Sequence, residues 1–495
     1  MQDYVTGTTA AHQNQSTVNV TGTITANQHV ESNQPAAADQ PATRIRRTPS
    51  WMQDYDTGAI YSEEEETQNM VFYTTAGDPY TYEEASQSQK WRAAMDTEIS
   101  AIERNGTWDL SVLPKHAKKI GVKWIYKTKL NEKGEVDKYK ARLVAKGYAQ
   151  QHGIDYTEVF APVARWDTIR MVLAITAQRD WTVYQLDVKS AFLYGELDED
   201  VYVEQPLGYE KKGEEYKVYK LKKALYGLKQ APRAWFSRIE SYFLKEGFVR
   251  CPSEHTLFVK THQECQGEGR ILVVSLYVDD LVFTGNDEEM FADFKASMQR
   301  EFAMTDLSRM KFFLGVEIVQ NDEGIFLSQK KYALEILERF GLENANSVRN
   351  LIVPGVKLMK NEDEQQVHMT QYKQMVGSLM YLSVTRPDLM FVVSLVSRYM
   401  ERPTNIHMQA IKRILRYVKG IVDLGICYKR GAATDEMLVA FSDSDYAGDQ
   451  DDRRSTSGYV FMFSGGAVAW SSKKQPVVSL STTEAEFISA AHCAC

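Results

Sequence analysis

The sequence predicts an α+β fold, and three observations carry that prediction. Strand-period segments come as neighbouring pairs around turn residues, at 122–146, 271–283 and 458–470. Helix-period segments stand apart from them, at 91–102 and 231–243. The composition is that of a folded chain with room for more than one core: 495 residues, 43% hydrophobic and 25% charged. At roughly 150 residues per domain, this length suggests about three domains.

Residues 1–80 are rich in Gln, Asn, Thr, Ser and Ala, with an acidic run at Glu63–Glu66. Ordering such a stretch costs more entropy than its burial returns, so a disordered acidic linker is expected there. The heptapeptide Met1–Gly7 returns at Met52–Gly58 with six of seven residues identical, too short an echo for a repeat architecture. A leading helix is expected over 81–106. Thr81-Tyr-Glu-Glu84 has the form of a capping box, Trp91, Met95, Ile99 and Ile102 recur at helical spacing, and Asn105-Gly106 stops the run.

Val122–Leu130 and Val136–Lys146 then read as a hairpin around Asn131–Gly134. Alternate residues of a strand share a face, so Lys123, Lys127 and Lys129 lie opposite Trp124, Tyr126 and Leu130. On the second strand Lys138, Lys140, Arg142 and Lys146 share a face. Lys115 to Gln150 holds 11 basic and 3 acidic residues. A solvated strand face and an anion site are both open on these residues alone. A second basic stretch, Lys211 to Lys245, has 10 basic residues against 3 acidic. Its helical segment Ala231–Phe243 carries Trp235, Ile239 and Phe243 as a core-facing stripe.

The formal net charge is −8, which argues against a nucleic-acid partner only if it is evenly spread. It is not: residues 1–90 hold 4 basic and 12 acidic residues, and the remainder is balanced. The five cysteines show no CxxC spacing and fit a reduced, intracellular compartment. No apolar run reaches membrane-spanning length, and the N-terminus lacks the regions of a secretory signal.

Two carboxylates stand where apolar strands meet. Ile271–Phe283 reads ILVVSLYVDDLVF, two buried-type strands joined by a tight turn holding Asp279-Asp280. Adjacent carboxylates repel, and burial penalises both. A surface turn would leave them in water, and a divalent cation would neutralise them. A third carboxylate favours the cation: the strand Trp181–Leu186 delivers Asp187, again at the end of an apolar run. Carboxylates on rigid neighbouring strands are what two-metal phosphoryl transfer requires.

Longer motifs surround these residues. YVDD at Tyr277–Asp280, LDVKSAFLYG at Leu186–Gly195, KARLVAKGY at Lys140–Tyr148 and YGLKQAPRAW at Tyr226–Trp235 resemble the reverse transcriptase of copia-type LTR retrotransposons. So do GVKWIYK at Gly121–Lys127, FFLGVEI at Phe312–Ile318 and VGSLMYLSVTRPDL at Val376–Leu389. The resemblance runs from about Trp91 to the last residue. It implies a right-hand polymerase, with fingers and palm at 107–327, a thumb at 328–368 and a connection at 369–435. An incomplete ribonuclease H-like α/β domain would follow at 436–495.

The resemblance also implies roles. Asp187, Asp279 and Asp280 would be the palm carboxylates. Asp187 and Asp279, with the carbonyl of Val188, would hold two Mg²⁺ ions, or Mn²⁺ in their place. Phe192 matches the steric gate that refuses a ribose 2′-OH. Gln230 matches a glutamine that contacts the incoming nucleotide, and Lys140, Arg142 and Lys146 are the candidates for its triphosphate. The implied partners are an RNA template, a DNA primer, the RNA–DNA hybrid, dNTPs and other Pol or Gag products, with no membrane. The implied location is a cytoplasmic virus-like particle and the nucleus.

In the tail, Asp443 and Glu484 match ribonuclease H metal ligands, with Asp445 and Glu486 as alternatives. Ser481-x-x-Glu484 is equally a capping box. The family pattern has two further carboxylates that these residues do not reach, so this chain is expected to lack ribonuclease H activity. The main alternative to an RNA-directed DNA polymerase is a catalytically dead, nucleic-acid-binding remnant of a decayed element.

Overall fold

The computed structural model describes residues 77–130, 135–262, 269–360, 365–431 and 438–494. The expected linker, apart from its last four residues, and the turn at 131–134 lie outside the described residues. Among them, helices and antiparallel strands mix as an α+β fold, and no helix is long and apolar enough to cross a membrane.

Half of the predicted capping box forms: Thr81 Oγ1 accepts from the Glu84 N–H at 3.3 Å, but Glu84 accepts from the N–H of Tyr80, one residue before the N-cap, at 2.9 Å. It closes only the short helix Tyr82–Ser86, and the main helix α1 starts afresh at Gln89 and runs Gln89–Arg104. A long-range contact accompanies the break, because Tyr82 packs so closely on Gly208 that a Cβ there would meet its hydroxyl. Trp91, Met95, Ile99 and Ile102 are buried as their spacing predicts. They pack on the hairpin of β1 (Val122–Leu130) and β2 (Val136–Ala145), with Trp91 edge-on to Tyr126. Four short strands, at Trp108–Ser111, Lys119–Ile120, Tyr202–Val203 and Val218–Leu221, join the same core.

The central sheet is antiparallel and six-stranded. Along the chain come α2 (Trp166–Gln178), β3 (Tyr184–Val188), α3 (Ala231–Lys245), β4 (Leu257–His262), β5 (Arg270–Tyr277), β6 (Asp280–Gly285), α4 (Glu288–Glu301) and β7 (Met304–Arg309). The strand order is β7-β3-β6-β5-β4, with Val249–Arg250 at the edge. Alternation gives the sheet two faces. Leu186, Val188, Leu272, Val274, Leu281 and Phe283 pack on α3 and α4. Val183 and Val282 face the other way, onto α2.

Helices α5 (Lys330–Arg339), α6 (Met369–Leu382), α7 (Met390–Ser397) and α8 (Asn405–Gly420) share one core, so the segments expected as thumb and connection pack together. The tail is a meander of β8 (Val439–Ser444), β9 (Thr456–Phe463) and β10 (Gly466–Lys474), covered by α9 (Thr482–Ala494). Its tight turn is Ser464-Gly465, both with positive φ. Arg170 of α2 ties the tail to the central sheet. Its Nε donates to the Val468 carbonyl at 2.7 Å and its Nη1 to that of Val384 at 2.9 Å. The same guanidinium pairs with Asp167 and lies 3.8 Å from the centre of the Trp470 ring.

Candidate active site

Register brings two of the three carboxylates together. Asp187 on β3 stands directly opposite Asp280 on β6, so both side chains leave one face of the sheet. The turn before β6 is Val278-Asp279, not the Asp279-Asp280 that the sequence suggested, because Tyr277 pairs with Asp280 and makes it the first strand residue. Val278 has φ +53, a costly conformation for a β-branched residue. Two bonds hold the turn in place. Trp235 Nε1 donates to the Val278 carbonyl at 2.6 Å, and the buried Val188 donates its N–H to the Asp279 carbonyl at 2.8 Å. Gln185 lies two residues before Asp187, and its Nε2 donates to Asp280 at 3.0 Å.

Burial pushes the Asp187 carboxyl above the usual range, and Asp279 adds to this, while Lys140, Lys129 and Arg142 draw it back. Asp280 is pushed up to about 6, first by burial, against the bond from Gln185, with Asp279 and Asp187 adding repulsion. The cationic hairpin therefore acts on the carboxylates. In its register Lys127 stands opposite Lys140, and Lys129 opposite Lys138, so like charges face each other at a cost to the hairpin. Burial, then Arg142 and Lys129, hold Lys140 below the ordinary lysine range.

The other candidate residues fall into distinct places. Phe192 follows Ser190, which is left-handed at φ +54, and its half-buried ring lies 5.4 Å from that of Tyr226. Lys146 lies beyond the end of β2, its side chain against Gly121. Gln230 is only 4% exposed. Its Oε1 accepts from Gln150 at 2.9 Å and its Nε2 donates to the Asp155 carbonyl at 2.7 Å. A nucleotide contact would need that tie to open. Glu484 accepts from the Leu480 N–H at 2.7 Å, and Ser481 accepts from the Glu484 N–H at 3.1 Å, so the carboxylate caps α9. Asp443 lies on exposed β8, beside a cavity of about 550 Å³ lined by Met390, Phe391, Phe441 and Trp470.

Sequence reasoning did not place Lys129, Gln185 or the turn-holding Trp235 at the site. Lys129 had a signal in its alternation with Lys127. Gln185 and Trp235 had none, since each acts on a residue distant in sequence.

Among the described residues, no three His, Cys, Asp or Glu side chains converge as a metal-binding group. The fit to Mg²⁺ rests on a different pattern. That ion commonly takes one or two carboxylates and completes its shell with water and substrate phosphates. Asp187 and Asp279 repel each other in a partly buried setting, with Asp280 opposite Asp187 in register, and such crowded carboxylates suit that site.

A family model described as reverse transcriptase (RNA-dependent DNA polymerase) matches residues 105–354, which include all three central carboxylates. The chain belongs to the reverse transcriptase family. It is 42% identical over 423 residues to the retrovirus-related Pol polyprotein from transposon RE1 of Arabidopsis thaliana. It is 40% identical over 406 residues to that from transposon TNT 1-94 of Nicotiana tabacum. These matches cover 85% and 80% of this chain but only 28% and 30% of those proteins, so the chain spans about three tenths of their length. A putative transposon Ty5-1 protein of Saccharomyces cerevisiae is 32% identical over 308 residues, covering 62% of this chain and 98% of that protein. The relationship is thus to copia-type Pol polyproteins, as the motifs implied. The tail residues Asp443 and Glu484 lie outside the matched reverse transcriptase segment.

Proposed function

We propose that the chain is an RNA-directed DNA polymerase that transfers nucleotides from dNTPs to a primer 3′-OH on an RNA template. The observation that carries this reading is the register pairing of Asp187 with Asp280 beside Asp279, within electrostatic reach of the cationic hairpin. In this reading the β1–β2 hairpin is the fingers and the central sheet the palm.

Asp187 and Asp279, with the carbonyl of Val188, would hold Mg²⁺. When bound, two such ions supply activation of the 3′-OH and neutralisation of charge on the triphosphate. The chain's own residues do the rest. Lys129, Lys140 and Arg142 bind the triphosphate, and their mutual repulsion falls when an anion sits among them. Gln185 orients Asp280, and Trp235 fixes the turn that carries Asp279. Phe192 occupies the space beside the sugar and refuses a 2′-OH. The bonds of Gln230 to Gln150 and Asp155 support a positioning part behind that pocket. For the tail, the proposal is a chain that does not itself cleave the RNA of a hybrid, with Glu484 serving the helix cap through its bond from the Leu480 N–H. Hybrid cleavage that disappears in Asp443→Asn would refute this.

The test of the main reading is primer extension on an RNA template with Mg²⁺ and dNTPs. Asp279→Asn should lose roughly a thousandfold in rate, since metal stabilisation is worth several kcal/mol. Unchanged extension would remove the metal assignment.

A further inference from the structure

Tyr226 joins two parts of the proposed nucleotide site that no other single side chain described above connects. Its ring centroid lies 5.4 Å from that of Phe192, with the planes at 40°. The Arg142 guanidinium lies 5.0 Å from the centre of the same ring. One aromatic side chain thus touches both the ring that tests the sugar and a cation that takes the triphosphate.

The backbone beneath Tyr226 is anchored although the residue is 39% exposed. The Ala145 N–H at the end of β2 donates to the Tyr226 carbonyl at 2.8 Å. The next residue, Gly227, has φ +91, and a Cβ there would stand 2.3 Å from the Ala145 carbonyl oxygen. The segment is therefore docked backbone against backbone on the hairpin. The Tyr226 backbone is held at a fixed place relative to β2, while Phe192 comes from the turn after β3. Phe192 is half-buried and packs against two cores, so a missing neighbour gives its ring room to swing aside.

We propose that Tyr226 is a positioning residue for sugar discrimination, its ring bracing Phe192 in the orientation that refuses a ribose 2′-OH. The proposal rests on the gate reading of Phe192. A tyrosine ring suffices for the bracing and its hydroxyl is not needed, because the contact is ring to ring.

The test uses the full chain on a primed RNA template, with kcat and KM measured for a dNTP and its matching rNTP. An aromatic pair contributes enough that Tyr226→Ala should raise the relative efficiency of rNTP use about three- to tenfold. Tyr226→Phe should keep the original discrimination. In a Phe192→Val background, Tyr226→Ala should add nothing to the discrimination ratio. Tyr226→Leu serves as the readout if the alanine variant does not fold, with the same expected direction. Equal losses for dNTP and rNTP in Tyr226→Ala, or a full additional effect in the Phe192→Val background, would overturn the bracing role. Phe192→Val alone tests the gate: if discrimination survives it, the gate reading fails and the Tyr226 proposal falls with it. Arg142→Met separates the neighbouring cation, since it should raise KM for both nucleotides alike and leave their ratio unchanged.

Discussion

Asp187 and Asp280 face each other across a pair of hydrogen-bonded strands, and among the described residues neither carboxylate has an ion pair. The Asp280 carboxyl, at about 6, lies above its ordinary value. A raised carboxyl contributes stability that is present below its unfolded pKa, about 4, and is lost as pH rises through the folded value. Asp280→Asn should therefore melt a few degrees higher than the parent at pH 8 in chelator, and show no such gain near pH 4. Thermal melting at the two pH values checks this, and equal melting at both would show that the repulsion is not felt. At this scale the carboxylates were legible because charge inside apolar strands is rare. Gln185 and Trp235 were not, since a shift of one residue in register would turn Gln185 to the other face. Gln230 was legible as a motif residue, but its burial against Gln150 and Asp155 depends on segments that only the fold brings together.

The hairpin β1–β2 shows how an element keeps a feature that its own stability disfavours. Its strands match the sequence expectation to within a residue, and the inward face of Trp124, Tyr126, Ala141 and Leu143 supplies the packing. The outward face sets lysine against lysine. Lys140→Met removes one member of such a pair and leaves the inward face intact. It should leave the melting temperature unchanged or higher in the absence of nucleotide. It should also raise the KM for dNTPs about tenfold, as expected for loss of a charge-assisted contact. A lower melting temperature with unaltered KM would mean that Lys140 serves the fold and not the anion. The alternation made this face visible in the sequence. The pairing of Lys127 with Lys140 was not visible there, because it depends on the turn. The first helix shows the opposite case: the N-cap Thr81 was read correctly, but it caps only the short helix Tyr82–Ser86, and the long helix begins at Gln89.

Across the whole molecule, the tail and the central sheet are held together at a buried guanidinium. Arg170 serves Asp167, two carbonyls and the Trp470 ring at once. Arg170→Met keeps most of the bulk but leaves the carbonyls of Val384 and Val468 without this donor. Leaving a buried carbonyl without its donor costs about 1–3 kcal/mol, which denaturant unfolding would show as a lower midpoint. An unaltered midpoint would mean that the tail docks by apolar contacts alone. No sequence pattern marks Arg170, since its partners lie some 200 and 300 residues further along the chain.

The facing lysines also carry a thermodynamic linkage. An anion that settles among them relieves a strain already present in the empty hairpin, so ligand and fold stabilise each other by the same free energy. Inorganic triphosphate, with no base or sugar, should then raise the melting temperature at low salt, and the rise should shrink in Lys140→Met.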